Sequence, residues 1–108
     1  MQISVIGRDG EIEKELFNEA KLFGKLAAKE GWVILCGGRS GVMQAVSEGV
    51  HEEDGIAVGI LPSYSKDEGN RFLDIKIATG IGYARNVVVV SSGDVVVAFD
   101  GMIGTLSE

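Results

Sequence analysis

Apolar and polar residues fall in alternating blocks along the chain, and the blocks read in turn as strands and helices. Residues 2–6 (QISVI) form a short β-rich run that ends at Gly7-Arg8-Asp9-Gly10, a G-x-x-G turn. Residues 11–30 place Ile12, Leu16, Ala20, Phe23 and Ala27 three or four apart. That spacing predicts an amphipathic helix with one apolar face, and Gly31 stands where a C′ glycine ends such a helix. Residues 32–36 (WVILC) are continuously apolar, as a strand buried on both faces would be. Gly37-Gly38-Arg39-Ser40-Gly41 follows at once, and residues 42–50 predict a second helix with Ser40 as its N-cap. Residues 56–61 predict a third strand, closed by Pro62. Residues 63–71 are polar and predict a mobile surface loop. Residues 72–78 predict a short fourth strand and residues 95–99 a final one.

One block is ambiguous. Residues 86–92 (NVVVVSS) have the composition of a strand, and a turn at Ser91-Ser92-Gly93-Asp94 would make them a hairpin with residues 95–99. A hairpin would break the alternation of strands and helices; a buried helix starting near residues 82–85 preserves it. Topology therefore predicts helix here. Apolar strands alternating with helices predict an α/β fold, a Rossmann-like parallel sheet flanked by helices, in a single domain over residues 1–108.

Composition narrows the chemistry. At 108 residues the chain is one small domain, burying roughly 60–65% of the surface its unfolded form would expose. Its net charge of −6 argues against a general grip on nucleic acid or an anionic membrane. A single cysteine and a single histidine exclude an intrachain disulfide and the usual ligand sets of structural zinc. No signal-peptide pattern is present, and the longest apolar runs are far shorter than a membrane span, so a cytoplasmic location is expected. Sixteen glycines are about twice the average frequency, and most lie at the ends of apolar runs.

Two glycine-rich segments stand where strands run into helix starts: residues 37–41 and Gly101-Met102-Ile103-Gly104-Thr105. In an open parallel sheet ligands bind beyond the carboxyl ends of the strands. Helix N-termini there offer N–H groups and a favourable dipole to an anion. Tight βα turns also need glycine, so the pattern has a purely structural alternative. Neither segment is a Walker A loop and neither is a G-x-G-x-x-G fingerprint, which disfavours ATP hydrolysis and ordinary NAD binding. Arg85 is a bidentate partner for carboxylate or phosphate, placed near a helix start at the same edge. Glu108 could point back over the second segment or complete a T-x-x-E capping box with Thr105. Arg39 could add charge at the first loop or be solvated. Cys36 reads as a core residue, and His51 as an exposed helix end without a catalytic partner.

Cys36-Gly37-Gly38-Arg39-Ser40-Gly41-Val42-Met43 resembles the G-G-x-x-G-x-M loop of the LOG-like proteins, Rossmann-like proteins long mislabelled as lysine decarboxylases. Asp100-Gly101-Met102-Ile103-Gly104-Thr105-Leu106-Ser107-Glu108 resembles their P-G-G-x-G-T-x-x-E signature, and Arg85 falls where they have a functional arginine. Active members are phosphoribohydrolases, which split the N-glycosidic bond of nucleoside 5′-monophosphates. The resemblance implies that Gly37, Gly38, Ser40, Gly41, Gly101, Gly104 and Thr105 form a nucleotide pocket. It implies that Arg85 and Glu108 act catalytically at the ribose, with no metal. Asp100 replaces the signature's Pro, Met102 its second Gly, and Asn86 a second basic residue. The run Ala84-Arg85-Asn86 is similar to the subgroup that holds molybdenum-cofactor carriers, which bind a phosphorylated pterin without chemistry on it. Two expectations follow: a nucleotide-binding phosphoribohydrolase, or a non-catalytic carrier of a phosphorylated cofactor. Neither requires a further cofactor. The resemblance also implies a homodimer, and a helix and strand beyond Glu108, so a longer natural chain or dependence on a partner is expected.

Overall fold

A computed structural model describes residues 1–99. Five strands, β1 (Gln2–Gly7), β2 (Val33–Cys36), β3 (Ala57–Leu61), β4 (Ile75–Ala78) and β5 (Val95–Phe99), form one sheet in the order β4-β3-β2-β1-β5. Every pairing is parallel, with Ile3 beside Ile34 and Val95, and Val58 beside Ile75. The helices are α1 (Lys14–Lys29), α2 (Val42–Glu52) and α3 (Arg85–Ser92). The α/β, parallel-sheet expectation therefore holds.

Side chains alternate across each strand, so the sheet has two cores. Ile3, Val5, Ile34, Cys36 and Ala57 face α1 and α2, meeting Leu16, Ala20, Ala27, Val42, Val46 and Val50. Leu35, Val58 and Ile60 face the other way, against Val89 of α3. Each fully buried Val, Leu or Ile of this kind contributes about 1.5–3 kcal/mol. Those contacts explain why residues 86–92 are helical despite their β-branched composition. Burying Val89 on the sheet outweighs local propensity, and the Ser92 hydroxyl donates back to Val88 O (2.6 Å) within the helix. The Ser4 hydroxyl, fully buried beneath α3, donates to Val89 O (2.5 Å).

Several boundaries differ from the sequence reading. Helix α1 begins at Lys14, not residue 11, and Ile12 packs on the core from outside it. Gly31 ends α1 at φ +77°, as expected of a C′ glycine. Of residues 72–78 only Ile75–Ala78 pair as a strand. Asp74 turns the chain in, accepting from the Ala57 N–H (2.8 Å), while Leu73 is buried in the core. The 63–71 segment contains a 3-10 turn at Lys66–Glu68 and is anchored at Asn70.

The chain steps from β1 through β4 on one side of β1 and then returns to place β5 on the other. That reversal makes a crevice at the carboxyl ends of the strands, where α/β sheets bind ligands. The starts of α1, α2 and α3, which follow β1, β2 and β4, all face this edge.

Candidate functional site

A cleft of about 380 Å³ opens at that crevice. Its floor is the end of β1 (Val5, Ile6, Gly7) and Gly37 after β2. Its walls are Asp9, Arg39 and Met43 on one side and Tyr83, Arg85, Asn86, Val89 and Val90 on the other. Arg85, the first residue of α3, is only 5% exposed. Its guanidinium lies directly over Gly37, where a Cβ would sit 2.8 Å from Nη2 and 2.9 Å from Cζ. Glycine at 37 thus makes room for Arg85.

Arg85 forms no ion pair with an acidic residue among the described residues. Nη1 donates to the Asn86 side-chain oxygen, while Nε is buried and has no hydrogen-bond partner among the described residues. A buried, always-charged guanidinium without a carboxylate is costly to desolvate. The cost falls when an anion enters the cleft.

The first glycine loop is organised differently from the sequence reading. Ser40 is not the N-cap of α2. Gly41 takes that position at φ 64°, and no side chain caps the helix. A Cβ on Gly41 would approach Arg8 O to 2.2 Å, and the Val42 N–H donates to the same Arg8 carbonyl (3.0 Å). The Ser40 hydroxyl instead turns to the neighbouring turn, donating to Asp9 Oδ1 (2.5 Å) and accepting from the Gly10 N–H (2.9 Å). Asp9 Oδ1 also accepts from the N–H groups of Ser40 (3.1 Å) and Gly10 (2.9 Å), and Arg39 Nε lies 3.4 Å from Oδ2. Partial burial pushes the Asp9 carboxyl up. The Ser40 hydroxyl and the two N–H donors, with Arg39 beside them, outweigh burial and hold it below its ordinary 3.8.

The donors that Ser40 brings to this loop are therefore engaged by an internal carboxylate. Gly38, at φ +80°, packs against Leu61, Gly59 and Leu73 rather than lining the cleft. Ser40 and Gly41 line a second, more open hollow with Gly10, Glu11, Ile12, Phe17 and Gln44. Of the residues chosen from sequence, the main cleft brings together Gly37 and Arg85. Gly101, Gly104, Thr105 and Glu108 lie outside the described residues, as do Asp100 and Met102.

Three residues of the site gave no sequence motif. Asp9 clamps two loops. Asn70 donates from its side chain to Arg39 O (2.9 Å) and from its N–H to Gly38 O (2.8 Å), tying the first loop to the 63–71 segment. Tyr83 stands on the rim. The two structural assignments made for Cys36 and His51 hold. Cys36 is fully buried, which raises its thiol pKa, and His51 is exposed near the end of α2, 5.7 Å from the Phe72 ring. Among the described residues no helix is long and apolar enough to cross a membrane.

Known proteins share this architecture. A protein of Archaeoglobus fulgidus, described as uncharacterized, is 45% identical over 108 residues, all of this chain and 70% of its own. The molybdenum cofactor binding protein of the phototrophic bacterium Rippkaea orientalis superposes with a TM-score of 0.89 at 42% identity, over 98% of this chain and 66% of its own. A molybdenum cofactor carrier protein of Chlamydomonas reinhardtii superposes with a TM-score of 0.83 at 37% identity, over 96% of this chain and 65% of its own. The chain thus spans just under two thirds of the length of these two structures. The sequence profile described as "LDcluster4: SLOG cluster4 family" matches residues 1–108, and the chain belongs to that family.

Proposed function

We propose that this protein binds and carries a phosphorylated small molecule without transforming it, the ligand being a phosphorylated pterin of the molybdenum-cofactor type. The observation that carries the reading is Arg85: a cation 5% exposed, over a glycine, without an acidic partner among the described residues. A phosphate or other anion entering the cleft would satisfy Nε and receive charge-assisted hydrogen bonds. The likeness to two molybdenum cofactor proteins at 37–42% identity points to the ligand class. A cleft of about 380 Å³ is within the size range of small-ligand pockets, and its mixture of cationic and apolar walls suits an anion on an organic ring. In this reading Arg85 holds the anion, Gly37 leaves room for its guanidinium, and Asp9 and Asn70 keep the loops at fixed spacing. Gly101, Gly104 and Thr105 remain proposed phosphate contacts on the strength of their motif.

Isothermal titration with neopterin monophosphate tests the reading. Wild-type protein should bind it, and Arg85→Ala should weaken binding by about tenfold to a hundredfold, the loss of charge-assisted hydrogen bonds to a buried cation. A parallel incubation with nucleoside 5′-monophosphates should release no free base. Base release that Glu108→Ala abolishes would replace the carrier reading with N-glycosidic hydrolysis. Equal binding by wild type and Arg85→Ala would remove Arg85 from the site.

A further inference from the structure

We infer that Tyr83 selects the ring system of the ligand, so that the cleft takes an anionic group joined to a flat heteroaromatic ring rather than a phosphate on a sugar or alkyl chain. The inference rests on the binding reading above and adds the residue that sets its specificity.

Tyr83 is 79% exposed and lines the same cleft as Arg85, two residues away. It sits in the 3-10 turn Gly82–Ala84, directly before α3. Its hydroxyl forms no hydrogen bond among the described residues. The turn beneath it is nevertheless fixed. Gly80 and Gly82 adopt φ of +69° and +62°, a region costly for other residues. The Gly82 N–H donates to Pro62 O (2.8 Å) and the Gly80 N–H to Ser63 O (3.0 Å). An exposed aromatic ring thus stands on a backbone held in place by the loop after β3.

The walls near it are apolar. Ile6 and Val90 are partly exposed and line the cleft, with Val89 buried behind them. Arg85 and Arg39 supply the charge of the cleft, and Asp9 already faces Arg39. Among the described residues Arg85 is therefore the cation left for the ligand. A ligand that fills such a cleft carries its charge at one end and an apolar, planar surface at the other. Every such ring has a π-face that stacks on tyrosine, and the contact needs no hydrogen-bond code.

The test compares two probes, neopterin monophosphate and ribose 5-phosphate, by titration calorimetry against wild type, Tyr83→Ala and Tyr83→Phe. Tyr83→Ala should weaken neopterin monophosphate by about tenfold or more, the usual loss when a stacking aromatic is removed. Ribose 5-phosphate should change by less than about twofold, because its anion contact at Arg85 is untouched. Tyr83→Phe should retain the ring affinity, since the stacking face survives without the hydroxyl. Thermal melts of both variants should match wild type, as the side chain is exposed. The inference is overturned if Tyr83→Ala leaves neopterin monophosphate binding unchanged, or weakens both probes equally. It is also overturned if wild type binds the two probes alike. In each of those cases dependence on Arg85 still supports phosphate binding; a wild type that binds neither probe removes both readings.

Discussion

Replacing Gly37 with alanine should uncouple ligand binding from folding. The added Cβ would lie 2.8 Å from Arg85 Nη2, 2.9 Å from Cζ and 2.8 Å from Met43 Sδ. Ordinary contact begins near 3.4 Å, so the guanidinium and the Met43 thioether must each retreat by about 0.6 Å. Both are ends of side chains rather than backbone, and Gly37 has no positive φ to strain. Overpacking of this kind costs about 1–2 kcal/mol of stability, leaving a folded protein. The displaced guanidinium, however, no longer meets the anion in its original geometry. Losing one charge-assisted hydrogen bond costs about 1.5–3 kcal/mol of binding, or roughly a tenfold to hundredfold rise in Kd. Urea denaturation gives the first quantity and calorimetric titration with neopterin monophosphate the second. A variant that loses the expected stability yet binds as wild type does would show that Arg85 over Gly37 is not the anion contact.

The Asp9 carboxyl is held below its ordinary 3.8 in the folded protein, so its contribution is complete above that value and disappears as pH falls through the lower folded pKa. Wild type should therefore lose urea resistance more steeply below about pH 4 than Asp9→Asn does; parallel curves would contradict the clamp. Gly49→Ala should destabilise by roughly 1–3 kcal/mol, because its Cβ would meet Lys21 O at 2.0 Å and force α1 from α2; a gain in urea midpoint would contradict that close packing. Cys36 is the single thiol, and burial raises its pKa, which keeps the reactive thiolate scarce. Ellman's reagent should label it orders of magnitude faster in urea than in the native state, and rapid native labelling would contradict the placement of β2.

The parallel sheet and the three helices were legible because their causes are local or topological. Continuous apolar runs mark β2 and β3, a 3.6-residue stripe marks α1, and the alternation itself decides α3 against its own valines. What the sequence could not show is which loop groups meet in space. Ser40 has the chemistry of an N-cap, yet Asp9, 31 residues earlier, claims its hydroxyl. Asn70 looks like a loop residue because its partners, Gly38 O and Arg39 O, belong to a segment more than 30 residues away. Arg85 could be singled out by type and position. That it meets no acidic partner among the described residues depends on tertiary burial, and that feature is what points to an anion.

A crystal structure of the protein soaked with neopterin monophosphate tests the central claim most directly. The account predicts phosphate density within hydrogen-bonding distance of the Arg85 guanidinium above Gly37, with the pterin ring against Tyr83. Density confined to the other hollow, against Ser40, Gly41 and Gln44, with Arg85 untouched, would contradict it.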